Sequence, residues 1–211
     1  MAQVSSDYYF AEKYLSLERF ISYFYQLDVV RESSPKNILF VGVGDNLVPH
    51  FLKQNNKYKI TTLDFDIKLK PDIVGDIRLL PFPDKSFDLV CAFEVLEHIP
   101  FDDMTNALKE MARVSNKNVV ISVPHRRTGF EITLKFPFIR SLFKKDFLRF
   151  AIRFPIRFPG FAISGQHYWE IDGHTTYLKD FRLLLRKNFN IIREVTPILD
   201  FYKRFFYLTV I

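Results

Sequence analysis

The segment 37–43 (NILFVGV) is almost continuously apolar over the length of one strand, the pattern of a parallel strand buried on both faces. Comparable runs recur at 58–63, 73–74, 88–93 (DLVCAF) and 118–123 (NVVISV). Between them, 48–53 reads as a short helix, and 103–114 as a longer one with Leu108, Met111 and Ala112 on one side. Upstream, Tyr14, Leu17, Phe20, Ile21 and Phe24 recur at three-and-four spacing, which predicts an amphipathic helix over 7–27 laid against the domain and ended by Ser33, Ser34 and Pro35. Downstream, 176–187 reads as a helix. The runs 190–196 and 205–211 read as two strands whose short connection suits an antiparallel pair. Strands alternating with helices predict an α/β fold, a parallel sheet covered on both faces that binds its ligand beyond the carboxyl ends of the strands.

The remaining segment, 126–165, is different in kind. It holds nine basic residues (Arg126, Arg127, Lys135, Arg140, Lys144, Lys145, Arg149, Arg153, Arg157) against Glu131 and Asp146, so it carries the whole excess of the chain's +6 net charge. Nine phenylalanines are interleaved. Ile139, Leu142, Phe143, Phe147, Phe150 and Phe154 fall at helical spacing, which predicts a helix over 136–158 stopped by Pro155 and Pro159. Its expected role is a lid whose Phe stripe packs on the domain. A helix resting on an anionic membrane is the second reading, and nucleic-acid binding the third. One cysteine, Cys91, allows no internal disulfide, and the first residues lack the basic start and apolar run of a signal peptide, so a reducing cytoplasm is expected. No run approaches the roughly 20 apolar residues that a membrane span needs.

Candidate chemistry sits at successive strand ends. Gly42 and Gly44 close the first strand (FVGVGDN), where glycine permits a tight turn and lets a ligand approach the backbone. Asp64, at the end of the second, can accept from the two hydroxyls of a ribose. Asp76, beside Ile77 and just past the third strand, offers an acceptor for an exocyclic amine together with an apolar wall for a base. Glu94, Glu97 and His98 then form an ExxEH motif after the fourth strand.

The order VGVGD, TLDFD, GDIRLLPFPDKSFDLVCAFEVLEHIP resembles the class I S-adenosylmethionine-dependent methyltransferases, in particular the branch containing quinone and small-molecule methyltransferases. The resemblance covers 37–125 closely, and the final helix and strand pair fit the family's reversed hairpin. It implies a Rossmann-like sheet of seven strands, mostly parallel with the last antiparallel, with helices on both faces and an inserted lid. One methyltransferase domain would span 1–211, divided into an N-terminal helix (1–34), a cofactor-binding core (37–125), a basic aromatic lid (126–165) and a C-terminal helix and strand pair (166–211). Carried over by position, Gly42, Val43 and Gly44 would line the methionine part of S-adenosyl-L-methionine, Asp64 the ribose, Asp76 and Ile77 the adenine, and Phe93 and Glu94 the wall at strand four. The chain departs from the family at Phe40, usually acidic, and at Asn46, usually glycine. Without the former, the methionine amino group must turn to backbone carbonyls or Asp45.

The implied reaction is methyl transfer to a small-molecule or lipid-like acceptor, at oxygen, with His167 as the catalytic base. His125 and His174 are further loop histidines on the same side. The ExxEH motif with His167 also resembles the metal-binding set of small-RNA 2′-O-methyltransferases, yet Glu97 and His98 are expected to brace the loop, and no metal ligand is assigned. An NAD-dependent oxidoreductase would share the glycines and the acidic residue, but it expects a third glycine that Asp45, Asn46 and Leu47 do not supply. A non-catalytic binding or scaffold protein is the other alternative.

Overall fold

The computed structural model describes residues 6–9, 11–126, 128–144, 146–154, 166–173 and 176–211. The proposed helix stops Pro155 and Pro159, the cations Arg127, Lys145 and Arg157, and His174 lie outside the described residues.

Seven strands form one sheet, β1 (Asn37–Val41), β2 (Lys59–Asp64), β3 (Ile73–Val74), β4 (Phe87–Phe93), β5 (Ser115–Pro124), β8 (Phe189–Val195) and β9 (Lys203–Val210), in the order β3-β2-β1-β4-β5-β9-β8. β1 pairs in parallel with β2 and β4, β2 with β3, and β4 with β5. β9 runs antiparallel between β5 and β8, so the reversed last strand expected from the sequence is present.

The apolar runs have a simple cause. Successive side chains of a strand point to opposite faces. Ile38 and Phe40 therefore join one core cluster with Leu89, Cys91, Val30 and Val48, while Leu39 and Val41 join a second with Val90, Ala92, Leu108 and Phe181. The first lies under α2 (Leu17–Ser33) and α3 (Leu47–Lys53), the second under α4 (Met104–Val114) and α6 (Leu178–Leu185). Each Val, Leu, Ile or Phe side chain among them, once fully buried, contributes about 1.5–3 kcal/mol. Burial also raises the Cys91 thiol pKa well above its usual value, leaving it inert.

Two expectations fail. The N-terminal helix begins at Leu17, where Ser16 caps it by accepting from Arg19 N at 3.3 Å, and it runs on to Ser33. Its buried face is Ser22, Tyr23, Gln26, Val29 and Val30, whereas Leu17, Phe20 and Phe24 of the predicted stripe are exposed. Upstream of it lie two separate turns instead, α1 (Ser6–Tyr9) and a 3-10 turn at Glu12–Tyr14. Second, the described residues of 136–158 do not form the single helix expected. Strands β6 (Thr128–Leu134) and β7 (Leu148–Phe154) form an antiparallel hairpin, with the short α5 (Ile139–Phe143) between them. The segment's β-branched and aromatic residues satisfy a period of two along the strands as well as a helical one, and pairing across the ribbon selects the former.

The turn after β1 tolerates no side chain at its first glycine. Gly42 has φ +82°, and a Cβ there would lie 2.3 Å from Val95 Cγ2. Gly42→Ala should therefore destabilise the fold by about 2 kcal/mol or more, read as a lowered midpoint of thermal unfolding.

Candidate active site at the carboxyl ends of the strands

Gly44 follows with φ +54° and Asn46 with φ +60°, so the left-handed conformation that the missing third glycine would favour is carried by asparagine. Asp64, almost fully buried, accepts from Val43 N through Oδ2 at 2.8 Å and from Asp66 N through Oδ1 at 2.9 Å, tying the end of β2 to the glycine turn. Burial raises its pKa above the ordinary carboxylate value, against the lowering effect of these backbone bonds. Asp76 lies just past β3, where Gly75 N donates to Asp64 O at 3.0 Å. Its carboxylate is gripped by Arg78, which also reaches Asp103 at 2.7 Å, and the Arg78 bonds hold its pKa below the usual value. Ile77 is buried in the same core cluster as Leu63, while Leu79 is exposed.

The N-terminal turns supply further residues, of which periodicity picked out Tyr14 only as a member of the helical stripe. Tyr9 and Tyr14 flank Gly44, with the Tyr9 ring 3.7 Å and the Tyr14 hydroxyl 4.0 Å from where its Cβ would be. Tyr8, Tyr9 and Tyr14 stack edge to face, with ring centroids 5.4–5.9 Å apart. The Arg19 guanidinium lies 4.2 Å from the Tyr14 ring centroid, a cation–π contact. Tyr23 donates its hydroxyl to Asp45, and burial raises the Tyr9 pKa to about 12. The missed signal was the cluster Tyr8, Tyr9, Tyr14 within one short polar stretch.

Phe93 packs between Phe40 and Phe205 at centroid distances of 6.1 and 5.7 Å. Glu94 adopts φ +55°, an uncommon conformation for any residue but glycine, and accepts from Ser122 Oγ at 2.8 Å. Beyond it the 3-10 turn Leu96–His98 buries Glu97 completely, with neither carboxylate oxygen meeting a hydrogen-bond partner. Desolvation first, then the neighbouring charge of Glu94, pushes the Glu97 pKa well above its ordinary value.

His167 comes to this turn across about seventy residues because the chain around it is stitched there. Tyr168 N donates to Glu97 O at 2.8 Å, Trp169 Nε1 to Ile99 O at 3.2 Å, and His98 Nδ1 to Gln166 O at 2.8 Å. The imidazoles of His98 and His167 stand edge to face at 5.0 Å. Desolvation lowers the His98 pKa, so the neutral ring is favoured and its lone pair lies on Nε2. His167 Nδ1 bonds to Glu170 Oε1 at 2.7 Å, and Glu170 Oε2 meets Arg126 Nε at 2.7 Å. A carboxylate only accepts, so Nδ1 carries the proton and Nε2 is the basic nitrogen. Glu97, His98 and His167 each place a ligand atom within 4.8 Å of the others. Glu94, the fourth member of the motif, turns to Ser122 instead.

His125 does not join them. It is fully buried, its Nδ1 accepts from Arg204 Nε at 3.0 Å and its Nε2 bonds Asp172 at 2.9 Å, so it braces the junction of β5 with the segment at Ile171. Among the described residues no helix is long and apolar enough to cross a membrane.

A profile of the family described as "Methyltransferase domain" matches residues 39–123. No curated protein matches the sequence. A SAM-dependent methyltransferase from Aquifex aeolicus shares the fold with a TM-score of 0.60 at 14% identity, covering 99% of this chain and 100% of the other. Magnesium protoporphyrin IX methyltransferase from Synechocystis PCC 6803 superposes with a TM-score of 0.59 at 15% identity, over 92% of this chain and 83% of its own. The N-methyltransferase NodS from Bradyrhizobium japonicum WM9 gives 0.56 at 12%, over 92% and 96%. The family match spans β1 to β5, and the whole sheet has the fold of these structures, so residues 39–123 are similar to a methyltransferase domain set in that fold.

Proposed function

We propose that the chain moves the methyl group of S-adenosyl-L-methionine to a hydroxyl of a small-molecule or lipid-like acceptor. The carrying observation is the carboxylate-oriented His167, whose Nε2 is fixed as the basic nitrogen beside Glu97 and His98. In the reaction the acceptor oxygen forms the bond to methyl carbon, the C–S pair returns to sulfur, and the hydroxyl proton passes to His167 Nε2. The sulfonium charge disappears on transfer, so alignment in a dry pocket supplies most of the acceleration. Under this reading Gly42, Val43 and Gly44 line the methionine end, with Tyr9, Tyr14 and Arg19 closing over it and Asp45 or the partnerless Asn46 Oδ1 receiving its amino group. Asp64 takes the ribose hydroxyls, Asp76 with Ile77 the adenine, and Phe93 and Glu94 form the wall. Cytoplasmic residence accords with the single buried thiol.

The buried, partnerless carboxylate of Glu97 favours a second element. Its donors and those of His98 and His167 span what two bonds of about 2.0–2.4 Å to one divalent ion bridge. The Glu170–His167 contact is the outer-shell pattern that orients a ligating imidazole. A bound ion would polarise the acceptor hydroxyl. Glu97 and His98 would hold it, and His167 would then serve as ligand rather than base.

Calorimetry with S-adenosylhomocysteine and with NAD tests the cofactor assignment. Binding of the former alone is expected, and Asp64→Ala should weaken it about 10–100-fold, the scale of lost hydrogen bonds to a charged group. Binding of NAD alone would move the chain to the oxidoreductases, and unchanged affinity in folded Asp64→Ala would remove the ribose role.

A further inference from the structure

The hairpin β6–β7 is built with its apolar side outward. Residues directly opposite one another on an antiparallel ribbon share a face. Phe130 stands opposite Ile152, Ile132 opposite Phe150 and Leu134 opposite Leu148, so these three pairs make one face apolar. Phe130, Ile132, Phe150 and Ile152 are 45–56% exposed. The other face carries Glu131 and Arg149, and it is this polar face that holds the ribbon to the domain. Arg149 donates to Glu131, to Thr196 O at 3.0 Å and to Pro197 O at 2.9 Å, while Leu199 N donates to Glu131 at 3.3 Å. A two-stranded ribbon with an uncovered apolar face is marginal in water, and patches of this kind mark a surface meant to be covered.

We infer that this face is a membrane-docking surface that inserts into the interface of an anionic bilayer. Three observations choose the bilayer over other occupants. Around the tip, Phe138 and Leu142 are 77% and 75% exposed and alternate with exposed Lys135, Arg140 and Lys144, which places cations at headgroup level beside side chains suited to the acyl boundary. A second copy of this chain on the same face would bring this cationic segment against itself. The aliphatic members Ile132, Leu134 and Ile152 offer no ring on which a base could stack, unlike a nucleic-acid platform. The loop that anchors the hairpin also holds α2, through Ile198 N donating to Tyr25 Oη at 3.2 Å, and α2 exposes Leu17, Phe20 and Phe24, so two apolar exposures share one support.

The placement has a functional corollary. β6 follows β5 directly, from the end where Glu97, His98 and His167 gather, so docking would present the mouth of the candidate site to the bilayer. The docking inference itself does not depend on methyl transfer.

The test is flotation of the full chain with vesicles of phosphatidylcholine, alone and with roughly a quarter phosphatidylglycerol, at low and physiological salt. Binding to the anionic vesicles that weakens with salt is expected. Phe150→Ser with Ile152→Ser should reduce it at least tenfold and leave the melting temperature unchanged, because both side chains are half exposed on the outward face of the ribbon. Lys135→Glu, Arg140→Glu and Lys144→Glu together should reduce it about 100-fold on anionic vesicles, at roughly fivefold for each cation removed. The inference is overturned if the native chain does not float, or if both variants float as it does. It is equally overturned if the serine variant melts lower, as a packed lid would, if it converts a dimer to a monomer, or if the segment retains RNA without binding vesicles.

Discussion

His167→Ala should lower methyl incorporation by about 10²–10⁴-fold, the usual contribution of a positioned acid–base group, while affinity for S-adenosylhomocysteine stays at the native level. The reason lies in the hydrogen bonds around the ring. Glu170 accepts from Nδ1, Arg126 holds Glu170, and Nε2 is left as the basic nitrogen next to His98. Glu170→Ala, which removes the orienting contact and keeps the imidazole, should cost less, about 10–100-fold. The readout is transfer from a labelled methyl donor into acceptors of a cell extract, with calorimetry on the same preparations. Restoration of the alanine variant by added imidazole would mark a base, and restoration by excess divalent ion would mark a ligand. Native rates in a folded His167→Ala would remove the histidine from the mechanism and with it the preference for an oxygen acceptor.

Glu97→Gln should change the dependence of stability on pH. Glu97 is fully buried, both of its oxygens lack partners, and its pKa in the folded chain is raised well above the ordinary value of 4.5 by desolvation and then by Glu94. A folded-state pKa above the unfolded one means stability that is whole below about pH 4.5 and is lost as pH rises through the folded value. Each unit of elevation costs about 1.4 kcal/mol at high pH, or roughly 3–5 °C in melting temperature for a chain of this size. The native protein should therefore melt lower at pH 8 than at pH 5.5, and Glu97→Gln, which stays neutral, should flatten that slope. A divalent ion seated at Glu97, His98 and His167 would reverse the sign at high pH, because it favours the carboxylate, and its removal by a chelator should lower the melting temperature of the native chain but not of the glutamine variant. Equal slopes for both proteins would show that Glu97 ionises in the folded chain without cost.

What the sequence alone determined was whatever depends on local pattern. The sheet could be read strand by strand, because a strand covered on both faces must be apolar at nearly every position, and Asn37–Val41, Phe87–Phe93 and Ser115–Pro124 announce themselves in that way. The glycine turn and the acidic residues at the ends of β2 and β3 were legible for the same reason, since each sits at a fixed offset from its strand. Tertiary structure decided the rest. Which face of α2 is buried depended on the surface it meets, and Tyr23, Gln26 and Val30 fit it where Phe20 and Phe24 do not. The segment 128–154 held a helical and a two-residue period at once, and the cross-strand pairing of Phe130 with Ile152 and the anchoring of Arg149 on Thr196 and Pro197 chose the ribbon. The meeting of Glu97, His98 and His167 lies furthest from sequence reach. It requires Tyr168, Trp169 and Gln166 to be hydrogen-bonded onto a turn about seventy residues earlier, and contacts of that separation leave no periodic trace in the chain, because they are set by where two surfaces pack and not by what either residue prefers on its own.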